Sequence, residues 1–520
     1  MSQTAWYQSK AFFLLICLLL PPVGFVLLWF RGGRVTEKLA GSLLLAALMV
    51  AHLFAFYGLR VEMDGTGMSP IFTFYDPAAH YDEIEKSRQE QGSSVVEAAS
   101  QPPVAAASTA PAASSPPATA PPPVSASPAS PPAGHAYWTD FRGPNRDGHY
   151  TQGPILTAWP RQGPPELWRQ QIGGGYASVV IADGRVFTIE QRRDEEVVAA
   201  YNFDTGKELW THSWPGHFRE SMGGPGPRAT PTWHEGKLYA LGAEGELHCL
   251  EARSGKLIWR KNILTDNGAG NLQWAMSGAP LVVDDKVIVL PGGRSGKSVV
   301  AYNKETGEPV WKSLNDQQSY TSPMLVTLAG RRHILLISAS RVLAVSVDDG
   351  ALLWDYPWTT DYDINAAQPL VVDGDHVLVS SGYGHGAALL RITSQGNVLK
   401  AVEVWQNNNM KNKFNSSVLH EGHAYGLDEG ILACINARTG ERRWKGGRYG
   451  FGQLLLADGH LIVLTEKGDL VLVKATPESH QELASFSALS GKTWNNPAMA
   501  GGRLIVRNQT EMVCYDLRPR

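Results

Sequence analysis

An aromatic repeat is the feature that most constrains the fold of this chain. Seven tryptophans and one phenylalanine recur along its C-terminal part with gaps of 39 to 52 residues. Their positions are Trp168, Trp210, Trp259, Trp311, Trp354, Trp405, Trp444 and Phe486. A period in this range is typical of radial repeats whose units hold about four strands each. The sequence therefore predicts an all-β fold, a β-propeller.

A short turn precedes most of these tryptophans. In five units a glycine lies four residues before the tryptophan, as in Asp204-Thr205-Gly206 before Trp210. Glycine in such a turn supplies a positive φ. Apolar residues alternate in the segment before each turn, as at 247–250, and this period-two pattern indicates strands. We expect the strand after the turn to carry its indole into a neighbouring blade, so the seven tryptophans are predicted to dock the blades.

The number of repeats predicts the number of blades. The third strand of the unit occurs in eight copies, the last at 512–515, and no room follows for a fourth strand. Residues 166–169 have the fourth-strand pattern without a third strand before them. We therefore predict eight blades, with the N-terminal strand around Trp168 closing the ring and removing an exposed sheet edge. Seven blades is the alternative, because the units that contain Trp405 and Phe486 are degenerate.

Two apolar segments precede the repeats. Residues 11–30 and 39–59 carry no charge, and each is long enough to span about 30 Å of hydrocarbon as a helix. They predict an anchor of two transmembrane helices in residues 1–62, although a cleaved signal peptide is the alternative for the first. Arg31, Arg34 and Lys38 lie between them, and the positive-inside rule places that loop in the cytoplasm. The chain is thus predicted to sit in a bacterial inner membrane with its propeller in the periplasm.

Residues 63–135 are predicted to separate the anchor from the propeller domain at 136–520. Pro77 opens a short charged helix that reaches Gln91. Residues 98–134 contain 11 prolines among 37 residues and no charged or aromatic side chain. Such a composition cannot form a core, and it predicts an extended tether.

Charge and cysteine content exclude other classes of protein. The net charge of −3 provides no basic field for nucleic acid. Four cysteines are too few for a disulfide framework. Cys249, Cys434 and Cys514 occupy the same place in three copies of the third strand, which predicts buried, unpaired thiols.

Polar and aromatic residues cluster where the first strand of each blade begins. In a propeller these strands line the central channel, so the residues predict either a grip on a small polar ligand or a hydrated, paired lining. Asp361, Asp363 and Asn365 form a trio that fits either Ca²⁺ or a plain turn. No catalytic motif or metal site is predicted. The candidate channel residues are Arg228, Gln273, Trp274, Tyr320, Asn365, Gln368, Lys411, Lys413, Asn415, Gln453, Trp494 and Asn495.

The turn pattern Thr-Gly-Lys-x-x-Trp resembles the repeat of the pyrroloquinoline-quinone-type β-propeller family. Residues 141–148, Phe-Arg-Gly-Pro-Asn-Arg-Asp-Gly, resemble the lead-in of a bacterial subgroup, as do 226–232 and 380–384. The family includes quinoprotein alcohol dehydrogenases and the non-catalytic scaffold lipoprotein of the outer-membrane β-barrel assembly machine. By this resemblance, a dehydrogenase would hold the quinone beside a calcium ion bound by Glu, Asn and Asp, with cations on the cofactor carboxylates.

Two functions follow as expectations. The first is a membrane-tethered scaffold without cofactor that binds envelope proteins or peptides. The alternative is a membrane-anchored quinoprotein dehydrogenase that oxidises an alcohol or a sugar with pyrroloquinoline quinone and calcium. The sequence contains neither an adjacent Cys pair nor Cys-x-x-Cys-His, which favours the scaffold.

Overall fold

The computed structural model describes residues 10–63, 70–74, 77–91, 94–97, 137–396 and 398–519. The chain forms two compact units. One comprises residues 1–80 and 221–224, and the other comprises residues 81–220 and 225–520.

The first unit is built mainly from apolar helices. Lys10–Leu19 and Pro21–Phe30 have 10 residues each, and Val35–Phe56 has 22. Among the described residues, Val35–Phe56 is the one helix long and apolar enough to cross a membrane. The single helix predicted over 11–30 is instead broken at Leu20, because two prolines without N–H groups begin the second helix. A hairpin that the sequence did not predict, Leu59–Met63 with Pro70–Phe74, follows.

The predicted helix before the tether is confirmed as Pro77–Gln91. Its C-terminal part packs on the first blade: Arg88 Nε lies 2.9 Å from Glu208 Oε1, and the Glu208 N–H donates to Gln91 Oε1 at 2.9 Å. Ser94–Glu97 then pairs in parallel with the outer strand of that blade. The propeller unit thus begins before residue 136, and the predicted tether at 98–134 lies outside the described residues.

Eight sheets follow one another around the second unit, each with four antiparallel blade strands. The sheets of blades 1 and 7 each have a fifth strand that pairs in parallel, Ser94–Glu97 and His149–Tyr150. The eight-blade prediction is confirmed, and the seven-blade alternative is wrong. From the inner to the outer strand, blade 1 contains Val180–Ala182, Arg185–Arg192, Glu195–Asn202 and Glu208–Pro215, and blade 2 contains Thr232–His234, Lys237–Leu241, Glu246–Glu251 and Leu257–Asn262. Blade 3 contains Leu281–Val283, Lys286–Val289, Val299–Asn303 and Pro309–Ser313, and blade 4 contains Met324–Leu328, Arg331–Ile337, Arg341–Val345 and Leu352–Pro357. Blade 5 contains Leu370–Val371, His376–Ser381, Gly386–Gln395 and Val398–Asn407, and blade 6 contains Val418–His420, His423–Asp428, Ile431–Asn436 and Arg442–Arg448. Blade 7 contains Gln453–Ala457, His460–Leu464, Asp469–Lys474 and Glu482–Ser487, and blade 8 contains Ala498–Ala500, Arg503–Arg507, Glu511–Asp516 and Glu166–Gln171.

The N-terminal strand closes the ring, as predicted. Glu166–Gln171 is the outermost strand of blade 8 and pairs with Glu511–Asp516, with Trp168 opposite Cys514. Cys249 and Cys434 likewise lie opposite Trp259 and Trp444. All three thiols are buried and unpaired. The shorter elements of this unit are the strands His149–Tyr150, Arg219–Glu220 and Gly224–Pro225 and the 3₁₀ turn Thr265–Asn267.

The repeated aromatics pack on the turn glycines of the following blade. The Trp210 indole N–H donates to the Ala252 carbonyl at 3.3 Å, and a Cβ on Gly255 would lie 2.4 Å from the indole ring. Gly255 is therefore needed both for its φ of +75° and for the close approach of the ring. The other pairs of this kind are Trp168 on Gly206, Trp259 on Gly307, Trp311 on Gly350, Trp405 on Gly440, and Phe486 on Gly163, which lies just before the closing strand.

Alanine substitutions at Gly255 and Gly236 should separate the cost of the positive φ from the cost of the clash with the indole. Gly255→Ala introduces backbone strain and a clash with Trp210, and we expect it to lower the free energy of unfolding by about 2–4 kcal/mol. Gly236 is a matched control, because its φ is +77° but a Cβ there would meet no atom within 4 Å. Gly236→Ala should cost only about 1 kcal/mol. Equal losses in denaturant unfolding would show that the contact with the indole is unimportant.

Candidate binding site at the mouth of the propeller channel

A belt of hydrogen bonds joins the first strands at every blade boundary. Gln368 of blade 5 accepts from the Ser322 N–H at 2.8 Å and donates to the Ser322 carbonyl at 3.0 Å, while its own N–H donates to Ser416 Oγ. These amides and hydroxyls hold the blades together. The bonds at the other boundaries are Asn495 Nδ2 to the Ala177 carbonyl, Ser178 N–H to Thr230 Oγ1, Thr232 Oγ1 to the Pro280 carbonyl, Ala279 N–H to Ser322 Oγ, and Gln453 Nε2 to the Phe414 and Trp494 carbonyls.

The asparagine-rich segment before blade 6 is a packed loop. Asn412 and Asn415 are buried, and Asn412 Nδ2 donates to Asn415 Oδ1 at 2.9 Å. Lys411 is bonded to Glu429 at 2.6 Å. Of the three candidate channel residues in this segment, Lys411 and Asn415 are bonded within the protein, and Lys413 lies on the Phe451 ring.

The Asp361–Asn365 segment forms a turn in which Asn365 points into the protein. Its side chain is fully buried, with Nδ2 donating to the Ser338 carbonyl at 2.9 Å and Oδ1 accepting from Ser381 Oγ at 2.7 Å. Asn365 therefore has no oxygen left for a calcium site with Asp361 and Asp363. Among the described residues, the three acidic or histidine side chains close enough to share a metal are Asp373, Asp375 and His376. Arg438 and Arg391 already bond this cluster, in a turn of blade 5.

Two arginines of the 141–148 motif, Arg142 and Arg146, bind residues at the start of the inner strands. Arg146 is 2% exposed and donates to the carbonyls of Pro280 and Pro323, at 2.5 Å and 2.8 Å. Arg142 donates to the Ser417 carbonyl of blade 6 at 2.8 Å, and burial lowers its pKa to about 10. Both arginines thus bind the start of the inner strands from within the ring. The 141–148 motif is visible in the sequence, but this structural role of its two arginines was not predicted from it.

Half-buried aromatic residues also cluster near the starts of the first strands. Trp494 is the best connected: its ring centroid lies 5.1 Å from that of Tyr176 and 4.7 Å from that of Phe414. The Trp494 indole N–H donates to Glu466 at 2.9 Å, which fixes the orientation of the ring. The aromatics that precede the first strands are Tyr176, Phe218, Trp274, Tyr320, Phe414, Phe451 and Trp494, and Tyr383 joins them from a loop of blade 5. We call this set the aromatic mouth.

Cations lie on the faces of this aromatic mouth. The Arg228 guanidinium is 4.8 Å from the Phe218 centroid and donates to Glu220 at 3.0 Å. Burial lowers the pKa of Arg228, while Tyr176 and Glu220 act against this shift. Lys413 Nζ lies 4.5 Å from the centroid of Phe451. The mouth therefore combines aromatic faces with positive charge, which suits ligands that are both apolar and anionic.

The predicted channel residues thus divide into three groups. Arg228, Trp274, Tyr320, Lys413 and Trp494 meet at the aromatic mouth. Gln368, Gln453 and Asn495 belong to the belt, and Asn365, Lys411 and Asn415 serve the packing of loops. Gln273 is exposed beside Trp274. Tyr176, Phe218, Tyr383, Phe414 and Phe451 were not among the predicted residues. An aromatic residue shortly before a first strand was the signal available for Tyr176, Phe414 and Phe451.

A second cavity, of about 570 Å³, opens between blades 1 and 2. Trp214 and His248 are among its lining residues, with ring centroids 4.1 Å apart. His212 Nε2 and His248 Nδ1 are 2.9 Å apart, and burial lowers the pKa of His212 to about 3. The pair is therefore neutral at pH 7, and no sequence motif indicated it.

The fold and the repeated Trp–Gly contacts define a β-propeller of the pyrroloquinoline-quinone-like class. A family model described as outer membrane protein assembly factor BamB matches residues 94–272 and 193–446. The chain belongs to this family.

Its relatives include assembly factors and dehydrogenases. BamB of Shewanella oneidensis is 22% identical over 306 residues, 56% of this chain and 75% of the relative. The 1-butanol dehydrogenase (cytochrome c) of Thauera butanivorans is 31% identical over 127 residues, 23% of this chain and 17% of the relative. The chain spans about a fifth of the length of the first alcohol dehydrogenases it matches. The solved quinohemoprotein alcohol dehydrogenase of Comamonas testosteroni has a TM-score of 0.52 at 13% identity, over 74% of this chain and 81% of that chain, which shows the fold alone.

Proposed function

We propose that this protein is a membrane-tethered propeller that binds other polypeptides as a non-catalytic scaffold in the assembly of envelope proteins. Its likeness to BamB of Shewanella oneidensis extends over 56% of the chain, against 23% for the butanol dehydrogenase. Asn365 and Asn415, two asparagines among the candidate channel residues, have their side-chain oxygens occupied by hydrogen bonds within the protein and so do not point to a calcium site. Both observations favour binding over catalysis with a bound quinone and calcium.

An exposed apolar strand carries the proposal. Val398–Asn407, the outer strand of blade 5, presents Val398, Val402 and Val404 to solvent with exposed fractions of 68%, 43% and 49%. At 10 residues it is the longest outer strand in the eight blades, and in the described structure it pairs on one side only. An apolar edge of this kind favours contact with a second polypeptide.

We place the scaffold on the periplasmic side of a bacterial inner membrane. Val35–Phe56 is the helix that supports a membrane anchor, and Arg31 and Arg34 precede it directly. Under the positive-inside rule these arginines remain in the cytoplasm, so the chain after the helix lies outside. Residues 11–30, which precede this helix in the chain, form the other membrane span of the proposed two-span anchor.

One labelling experiment tests both location and binding. Val402→Cys and Val310→Cys place single thiols on the exposed outer strands of blades 5 and 3 in the full chain. The native propeller thiols are buried and should not react. In cells with a permeabilised outer membrane, a membrane-impermeant photo-crosslinking maleimide should label both variants. Illumination should then give a discrete cross-linked product from Val402→Cys and none from Val310→Cys.

Two results would contradict the proposal in different ways. Failure to label either thiol in cells, with normal labelling after lysis, would place the propeller in the cytoplasm. Labelling without cross-linking, together with a quinone absorbance band and dye reduction when pyrroloquinoline quinone, Ca²⁺ and an alcohol are added to the purified protein, would establish the dehydrogenase instead.

A further inference from the structure

Lys413 is a cation on aromatic faces that forms no ion pair within the described residues, although its charge adds to that of Lys411 in lowering the pKa of Glu429. Its Nζ lies 4.5 Å from the ring centroid of Phe451 and 5.5 Å from that of Tyr383. Within the described part of the chain no carboxylate forms an ion pair with it, whereas Lys411 is paired with Glu429 at 2.6 Å. Aromatic faces stabilise an ammonium but leave its hydrogen-bond donors unused. An anion is therefore the missing complement.

The backbone around Lys413 holds the side chain in this place. A Cβ on Gly382 would lie 2.5 Å from Lys413 Cγ, so the stem of the lysine packs directly on the glycine. The Gly382 N–H donates to the Asn412 carbonyl at 2.5 Å, and Gln453 Nε2 donates to the Phe414 carbonyl at 3.1 Å. Residues on both sides of Lys413 are thus tied to neighbouring strands, which distinguishes this lysine from an unconstrained surface lysine.

The surface next to the ammonium is aromatic. Ring centroids lie 5.7 Å apart for Phe414 and Phe451 and 4.7 Å apart for Phe414 and Trp494. All three side chains are half-buried and keep part of their surface exposed. A planar or apolar group beside the anion would bury this surface, which is the main source of affinity in such sites.

We propose that the aromatic mouth binds a carboxylate attached to an aromatic or apolar group, as presented by the C-terminus of a polypeptide chain. The carboxylate accepts from Lys413 Nζ, and the terminal side chain packs on Phe414 and Trp494. The neighbouring Arg228 is already bonded to Glu220, so Lys413 on the Phe451 face is the cation that the carboxylate would pair with. The assignment to a polypeptide rests on the proposed scaffold function.

The test uses the full chain in detergent and two labelled decapeptides that differ only at the C-terminus. Both end in phenylalanine, one as the free acid and the other as the amide. Fluorescence anisotropy should show the acid binding at least about tenfold more tightly, since a charge-assisted bond is lost in the amide. Lys413→Met should remove that preference and Lys413→Arg should retain it. Lys256→Met makes the same change at an exposed lysine in a turn of blade 2, outside the aromatic mouth and the outer strand of blade 5, and should have no effect.

A second variant tests the aromatic part of the site. Phe451→Leu keeps an apolar side chain but removes the ring beneath the ammonium, and it should weaken binding of the acid severalfold. Thermal unfolding of each variant establishes that the propeller is intact. Binding that is unchanged in both Lys413→Met and Phe451→Leu would overturn the proposal.

The remaining outcomes separate this inference from the scaffold function. Equal binding of acid and amide overturns the carboxylate site, while cross-linking through position 402 would still support the scaffold. N-acetylphenylalanine that competes as well as the decapeptide acid overturns the assignment to a polypeptide terminus. Binding of pyrroloquinoline quinone with Ca²⁺ but of neither peptide, lost in Lys413→Met, overturns both the inference and the scaffold.

Discussion

Removal of the closing strand should prevent the propeller from folding as a soluble monomer. A chain that starts at residue 175 lacks Glu166–Gln171, so Glu511–Asp516 becomes an unpaired edge. It also loses Trp168, whose indole packs on Gly206 and donates to the Phe203 carbonyl at 3.0 Å. Loss of a buried aromatic alone costs about 3–5 kcal/mol, and the open edge favours aggregation. We expect most of this protein to elute as aggregates in size-exclusion chromatography.

Two longer chains provide the controls. A chain that starts at residue 137 keeps the closing strand and both lead-in arginines, and one that starts at residue 151 keeps the strand but loses Arg142 and Arg146. The first should be monomeric, and the second should be monomeric but less stable. A chain from residue 175 that is monomeric and melts at the same temperature as the chain from residue 137 would show that ring closure contributes nothing.

Replacement of Arg146 should be the most damaging single substitution in the lead-in. Its guanidinium donates to the carbonyls of Ala279, Pro280 and Pro323 and is paired with Asp140 at 3.0 Å. Arg146→Met leaves these acceptors buried without their donor and leaves Asp140 without its counter-ion. Removing one partner of a buried ion pair typically costs about 3–5 kcal/mol. We expect a loss of this size in the free energy of unfolding, measured by denaturant titration.

Two further substitutions, Arg161→Met and Arg146→Lys, provide the comparison for Arg146→Met. Arg161 is exposed, so Arg161→Met should change stability by less than about 0.5 kcal/mol. Arg146→Lys keeps the charge but cannot reach several carbonyls at once, and it should recover only part of the loss. If Arg146→Met were as stable as Arg161→Met, the bonds of Arg146 would contribute nothing to the stability of the propeller.

The aromatic mouth was only partly predictable from the sequence. Position relative to the first strands singled out Arg228, Trp274, Tyr320, Lys413 and Trp494, which lie together in the structure because first-strand entries of a propeller converge on one axis. The same rule did not distinguish them from Gln368 or Gln453, whose side chains turn sideways into the belt. That distinction depends on the direction of each side chain within its loop, and residue type and spacing carry no information on it.

The sequence by itself predicted eight blades, the identity of the closing strand and the pairing of Trp168 with the last blade, and the structure excluded the seven-blade alternative. These follow from a local period, since each unit of about four strands repeats the same turn and the same aromatic. Only the tertiary structure decided the roles of Arg146 and Lys413. Arg146 and the Pro323 carbonyl are 177 residues apart in the chain, and they meet because closure of the ring brings the starts of all inner strands to one axis. The environment of Lys413 likewise depends on Phe451 and Tyr383, which neighbouring blades supply and which no repeat pattern links to it.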